Sequence, residues 1–205
     1  MTDESVPPGG TAVVDPVWQP WRPEEVARRL AGVAAPWYVA GGWALDLHRG
    51  EQSREHEDLE IGVPAGRFGE IRKALGGLDI EVIGAGQRWP VDSPAFSELH
   101  QTWVSDPATG RYVLDVFREP HDGDIWICRR DDSIRLPFRQ VVGHSQDGIP
   151  YLAPQLVLLF KAKHCRPKDE ADFAGALPLL APQDRDWLSR ALRRVHPGHA
   201  WIGML

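Results

Sequence analysis

The chain has 205 residues, of which 42% are apolar and 25% charged, a balance typical of one large globular domain or two small ones. Its formal net charge of −6 argues against nonspecific binding of nucleic acids, which relies on a basic surface. No apolar run approaches the ~20 residues that a membrane span needs, so we expect no membrane contacts. Met1–Ser5 is acidic and polar, unlike the start of a signal peptide, and the only cysteines are Cys128 and Cys165. We therefore expect a cytoplasmic protein without a disulfide framework.

The periodicity divides the chain into three parts. Residues 1–20 are rich in proline and glycine and predict a flexible N-terminal arm, residues 21–150 alternate between helical and strand patterns, and residues 151–205 are helical. The predicted helices begin near Pro23, Trp43, Pro64, Ala153, Lys168 and Gln183, and the predicted strands are residues 37–40, 58–63, 80–83, 98–104, 111–117 and 124–128.

A glycine pair and a pair of acids form the most informative motif. Gly41 and Gly42 connect a short apolar strand to a helix, and such a turn lets the backbone approach phosphate groups. Asp58 and Glu60 follow, two positions apart in a predicted strand, so both side chains leave the same face and can share a hard cation. Together these features indicate a site for a nucleoside triphosphate with Mg²⁺.

A third acid, Asp115, lies between Leu114 and Val116 in another predicted strand. Two acids on a strand are more often a solvated face than a metal site. That alternative does not account for the glycine turn, the intervening helix and the third acid at once, so the joint pattern favours the functional interpretation.

These segments resemble a known family. Val39-Ala-Gly-Gly-Trp-Ala-Leu-Asp-Leu47 and Arg54-Glu-His-Glu-Asp-Leu-Glu-Ile61 are similar to motifs of the DNA polymerase β type of nucleotidyltransferase, and within it to the small enzymes that adenylylate aminoglycosides or lincosamides. Residues 151–161 and 166–173 extend the likeness. The resemblance implies an α/β (α+β) fold: a nucleotidyltransferase core with a mixed sheet over residues 21–150, then a helical C-terminal region.

The resemblance also implies roles for individual residues. Asp58, Glu60 and Asp115 would bind Mg²⁺, with Asp115 either completing the metal site or taking the proton of an acceptor hydroxyl. Glu60 stands where relatives usually carry aspartate, so its longer side chain alters the expected metal geometry. The residues implied in nucleotide binding are Gly41, Gly42, Arg54, Lys161 and Lys168.

The implied reaction is transfer of a nucleoside monophosphate, AMP from ATP, to a hydroxyl of a small cationic acceptor such as an aminoglycoside. Three alternatives stay open. They are a toxin-type enzyme that modifies tRNA or protein, a non-catalytic relative that binds nucleotide, and a biosynthetic enzyme acting on a small metabolite. The acidic composition weighs against a nucleic acid acceptor without excluding tRNA.

Overall fold

The computed structural model describes residues 6–205. The expectation of no signal peptide and the first part of the predicted arm lie on Met1–Ser5, outside the described residues. The chain forms two compact units, a first unit of residues 1–36 and 57–119 and a second unit of residues 37–56 and 120–205. This division differs from the predicted boundary at residue 150, because residues 37–56 associate with the C-terminal part of the chain.

The elements are numbered in chain order. The strands are β1 (Thr11–Ala12), β2 (Tyr38–Val39), β3 (Glu60–Pro64), β4 (Asp79–Gly84), β5 (Gln87–Pro90), β6 (Gln101–Asp106), β7 (Arg111–Glu119), β8 (His121–Asp122), β9 (Ile125–Ile127), β10 (Arg135–Pro137), β11 (Val142–His144) and β12 (Pro150–Leu152). The α-helices are α1 (Pro23–Arg29), α2 (Gly41–Arg49), α3 (Phe68–Ala74), α4 (Ala95–Glu98), α5 (Phe138–Val141), α6 (Pro154–Lys161), α7 (Pro167–Ala176) and α8 (Pro182–Val195). Short 3₁₀ turns occupy Ala65–Arg67, Leu177–Leu179 and Ala200–Gly203.

The first unit contains a six-stranded mixed sheet in the order β1-β5-β4-β6-β7-β3. All neighbours are antiparallel except β3 and β7, which are parallel. Leu59, Ile61 and Val63 alternate with acidic or small residues and have no exposed surface, so one face of β3 belongs to the core. The other core side chains include Val26 of α1, Phe68 and Ile71 of α3, and Val104, Leu114 and Val116 of the sheet.

The N-terminal segment is attached to this sheet. β1 pairs with β5, and the Trp89 indole Nε1 donates to the Pro8 carbonyl at 3.2 Å. The amide nitrogens of Gln19 and Trp21 then donate to the carbonyls of β7 residues 112 and 113 at 2.9 and 3.0 Å. Much of the predicted flexible arm, together with Trp21 after it, therefore extends the hydrogen bonding of the sheet along β5 and β7.

The second unit combines helices with two small sheets. β2 pairs in parallel with β12, which pairs antiparallel with β11, while β10, β9 and β8 form a three-stranded antiparallel sheet. The Trp126 indole donates to the Tyr38 hydroxyl at 3.0 Å, and the rings of Phe173 and Trp201 stack at 4.2 Å. Leu156, Leu158, Leu159, Leu188 and Leu192 complete a buried helical core. No helix within residues 6–205 is long and apolar enough to cross a membrane.

Several elements differ from the sequence expectation. The helix expected from Pro64 begins at Phe68, because Pro64 ends β3 and a 3₁₀ turn precedes the helix. Helix α2 begins at Gly41, two residues earlier than expected. The sequence analysis assigned no strand to β5 or to the segment from β10 to β11, since strands of three or four residues carry too few alternations to register as a pattern.

The start of α7 depends on a buried carboxylate, Asp169. Its Oδ2 accepts from the Arg166 backbone nitrogen at 3.0 Å and from Arg166 Nε at 2.8 Å, and its Oδ1 accepts from Lys161 Nζ at 3.3 Å. Burial by itself raises the pKa of Asp169. The hydrogen bonds from Arg166 and the charge of Lys161 outweigh burial and bring the pKa from 3.8 down to about 2.

Replacing Asp169 with asparagine should therefore destabilise the protein by about 1–3 kcal/mol, since it leaves two cations with a weaker acceptor. A lowered pKa stabilises the folded state above the ordinary value of 3.8, and this stabilisation is lost as the pH falls towards about 2. Urea unfolding at several pH values should show a shallower acid limb for Asp169→Asn than for wild type. The exposed Asp186 provides the control, because Asp186→Asn should keep the wild-type slope. Equal slopes for both variants would contradict the assignment.

Candidate functional site

The parallel pairing of β3 and β7 places acidic side chains side by side in the first unit. Glu60 is the register partner of Asp115, and the Asp115 amide donates to the Leu59 carbonyl at 2.9 Å. Register partners in neighbouring strands point to the same face of a sheet. Asp58 precedes β3 by two positions and is exposed, whereas Asp115 is only 3% exposed.

Asp115 has an unusual electrostatic environment. Burial raises its pKa well above the ordinary value of 3.8, and the negative charges of Glu60 and Asp58 raise it further. A hydrogen bond from the Gln101 amide, at 2.7 Å to Oδ2, and the neighbouring Trp103 indole oppose that rise. The other carboxylate oxygen, Oδ1, is buried and accepts no hydrogen bond from the described residues.

This environment fits a hard cation. A divalent ion would satisfy the orphaned Oδ1 and remove the repulsion between neighbouring carboxylates, and carboxylate oxygens are ligands that Mg²⁺ favours. Among residues 6–205, no three His, Cys, Asp or Glu side chains are already arranged around one cation position. Asp58, Glu60 and Asp115 therefore stay a predicted ligand set, in which Glu60 and Asp115 are neighbours by register.

The glycine turn opens helix α2 in the second unit. Gly41 is the first helical residue and has a φ of 60°, and the Ala40 before it has no polar side chain to cap the helix. A Cβ added at Gly42 would lie 2.5 Å from both Arg54 Nη2 and His56 Cε1. The second glycine is therefore required by the close approach of two side chains, and the uncapped helix N-terminus suits an anion.

A buried carboxylate holds His56 against this turn. Asp46 Oδ2 lies 2.6 Å from His56 Nε2, and Ser53 Oγ donates to Asp46 Oδ1 at 2.5 Å. The side chains of Asp46 and His56 are only 4% and 3% exposed, and the imidazole packs on Trp43 with 4.5 Å between ring centroids. Burial alone raises the pKa of Asp46, but the hydrogen bonds from His56 and Ser53 lower it overall.

Two of the predicted phosphate-binding cations share one acid in the second unit. Asp172 accepts from Arg54 Nε and Nη2, both at 3.0 Å, and its Oδ2 lies 2.8 Å from Lys161 Nζ. Lys161 also pairs with Asp169 at 3.3 Å. The structure thus brings Arg54 and Lys161 together, and it places Lys168, partly exposed, in the first turn of α7.

Sequence reasoning missed several of these residues. Gln101 and Trp103 lie beside Asp115, and Asp46 and Ser53 belong to the hydrogen-bonded group that holds His56 next to Gly42. Of these four, only Asp46 lies in a segment that resembles the family. The acid at position 46, four residues after a glycine pair that opens a helix, was the one available signal. The sequence assigns no role to His56, and the structure shows it both packed on Trp43 and hydrogen-bonded to Asp46.

Comparison with known proteins identifies the same region. Residues 24–92 match the family model described as aminoglycoside-2″-adenylyltransferase. Over 54 residues the chain is 35% identical to 2″-aminoglycoside nucleotidyltransferases from Escherichia coli and Klebsiella pneumoniae. That match covers 25% of this chain and 30% of each relative, so the sequence likeness spans less than a third of their length.

Solved structures extend the likeness to most of the fold. The solution structure of the antibiotic-resistance factor ANT(2″)-Ia and its crystal structure with adenylyl-2″-tobramycin each superpose with a TM-score of 0.56 at 14% identity. They cover 83% of this chain, and 89% and 95% of the two solved chains. The lincomycin-bound lincosamide adenylyltransferase LnuA has a TM-score of 0.54 at 19% identity, over 77% of this chain and 95% of its own.

These identities are low, so the superpositions bear on the fold, and the predicted mixed α/β nucleotidyltransferase fold is confirmed. The predicted resemblance is confirmed as well: over residues 24–92 this chain is similar in sequence to the aminoglycoside-2″-adenylyltransferases, and it shares its fold with the small antibiotic nucleotidyltransferases.

Proposed function

We propose that this chain is a Mg²⁺-dependent nucleotidyltransferase that transfers AMP from ATP to a hydroxyl of a small cationic acceptor, an aminoglycoside-like antibiotic. The observation that carries the proposal is the in-register pair of Glu60 and Asp115, with an orphaned carboxylate oxygen on the buried Asp115. The match over residues 24–92 includes Asp58, Glu60 and the glycine turn, and supports the same chemistry.

The acids of the first unit would bind the metal ion and take the proton from the hydroxyl of the acceptor molecule. Asp58, Glu60 and Asp115 would bind Mg²⁺, which when bound neutralises charge on the phosphates. Asp115 also suits a base, because its raised pKa gives it a higher proton affinity than an ordinary carboxylate. The acceptor oxygen would lose its proton as it bonds to the α-phosphorus, while the bond to the departing pyrophosphate breaks.

The second unit would bind the triphosphate. Arg54, Lys161 and Arg166 form ion pairs with Asp169 and Asp172, so three cationic side chains are already positioned in one cluster. The backbone amides at Gly41 and Gly42 would add donors at a helix N-terminus. Lys168 would contribute a further point charge.

The choice of a small acceptor rests on the ligands named for the similar structures. One holds adenylyl-2″-tobramycin and another lincomycin, both small hydroxylated antibiotics. The net charge of −6 favours a cationic acceptor over tRNA. A toxin-type activity is the second candidate, and the transfer experiment below separates the two.

Nucleotide binding should depend on Mg²⁺, on the acids proposed to bind the metal and on the cations proposed to bind the phosphates. By isothermal titration, Asp58→Asn and Lys161→Ala should each weaken Mg²⁺–ATP binding by about tenfold, since each removes a charge that a phosphate or its metal needs. Asp79→Asn and Lys73→Ala remove the same charges at exposed positions and should bind as wild type. Equal ATP affinity with and without Mg²⁺ would contradict the metal assignment.

A methyl group at the glycine turn should impair the same step. In Gly42→Ala the new Cβ displaces Arg54 and His56, which are held by Asp172 and Asp46, so we expect about tenfold weaker ATP binding. Gly203→Ala is the matched control, because a Cβ there meets nothing within 4 Å. If both variants bind ATP like wild type, the turn does not approach the nucleotide.

The transferred group can be identified by mass. Incubation of the protein with Mg²⁺ and ATP, GTP, CTP or UTP, and with tobramycin, lincomycin or tRNA, should add one AMP to tobramycin. Asp115→Asn should abolish this product, because it removes both a metal ligand and the base. Asp106→Asn, at the end of β6, should retain it. Label appearing only on tRNA or protein would instead establish the toxin-type activity.

A further inference from the structure

One face of the sheet in the first unit carries a row of acids interrupted by an indole. Glu60, Asp115, Trp103 and Glu81 are successive register partners across β3, β7, β6 and β4. Side chains at register partners point to the same face. Trp103 is thus flanked by the carboxylates of Asp115 and Glu81.

A register irregularity adds a second ring to this row. The pairing of β6 and β7 shifts between Val104 and Ser105, so that Ser105 is opposite Tyr112. Such a shift redirects the side chains beyond it. The Tyr112 ring lies 4.9 Å from Trp103, and its hydroxyl donates to Glu81 Oε2 at 2.9 Å.

The N-terminal segment supplies a third ring. Val17 accepts a backbone hydrogen bond from Tyr112, and Trp18 follows, with its ring 5.1 Å from Trp103 and 5.5 Å from Tyr112. Trp18 lies before residues 24–92, the region of the sequence match. The aromatic group is therefore a feature of this chain that the matched region does not contain.

The composition and accessibility of the row suit a cation. Residues 1–36 and 57–119 include 16 Asp and Glu against nine Lys and Arg. Trp18 and Trp103 are partly exposed, and the Asp115 Oδ1 is buried without a hydrogen bond from the described residues. Arg88 pairs with Glu81 at 3.2 Å and compensates one charge, while the pair of Glu60 and Asp115 lies at the other end of the row.

We propose that Trp103, with Trp18 and Tyr112 beside it and Glu81 behind it, is the subsite that binds a protonated amine of the acceptor. Cations bind over the faces of indole rings, and a nearby carboxylate adds coulombic attraction. An amine held at Trp103 would present a neighbouring hydroxyl to Asp115, its register partner. The inference rests on the proposed function, and it makes the N-terminal segment part of acceptor recognition.

Equilibrium binding of tobramycin without nucleotide tests the subsite directly. By isothermal titration, Trp103→Leu should raise the Kd for tobramycin by about tenfold, whereas Trp103→Phe, which keeps a ring, should raise it less. Glu81→Gln should raise the Kd several-fold, and this effect should shrink as salt is added. Glu98→Gln removes the same charge from exposed α4 and should leave the Kd unchanged. Thermal melting of each variant shows whether it is folded.

The outcomes separate this inference from the proposed function. Unchanged tobramycin affinity in folded Trp103→Leu and Glu81→Gln samples would overturn the subsite, even if AMP transfer to tobramycin persists. No tobramycin binding to wild type would overturn it as well. Tobramycin binding that depends on Trp103 and Glu81, in a protein that binds no Mg²⁺–nucleotide, would instead support the subsite and overturn the proposed transfer.

Discussion

The parallel pairing of β3 with β7 is the constraint on which the candidate chemistry depends. It buries Leu59 and Ile61 on one face and, by the same register, sets Glu60 beside Asp115 on the other. Bringing like charges together in a poorly solvated position costs stability, so the apolar face must offset that cost. A carboxylate held against electrostatics by packing is the kind of group from which binding and catalytic sites are built.

In the second unit, by contrast, opposite charges are brought together, because Arg54 and Lys161 form ion pairs with acidic side chains. Asp172 orients Arg54 and Lys161, and Asp46 orients His56 beside Gly42. Side chains fixed before a ligand arrives lose less conformational entropy on binding than mobile ones. The loss of folding free energy from burying these charges is small, since the carboxylates of Asp46 and Asp172 accept hydrogen bonds and have lowered pKa values.

Strand alternation and glycine placement predicted the elements that carry Asp58, Glu60 and Gly42, and the family resemblance predicted the fold class. They did not predict that Gln101 and Trp103 contact Asp115, because alternation assigns a residue to a face but does not identify the neighbouring strand or its register. The pairing of Asp46 with His56 was missed for a similar reason, since it joins a helix to a loop. The two units differ from the predicted boundary at residue 150 because residues 37–56 find their partners far along the chain, and strand alternation carries no information on such contacts.

The ion pair between Arg54 and Asp172 joins residues 118 positions apart. Each unit is discontinuous in sequence, so the chain must pass residue 119 before the first unit has all its strands, and must add α7 before Arg54 can meet its acid. Contacts of such high sequence separation form slowly, after the entropy of closing long loops has been lost. During synthesis, the side-chain arrangement around the glycine turn would therefore be completed only after the C-terminal helices have emerged, and the proposed phosphate site would be among the last parts of the nascent protein to form.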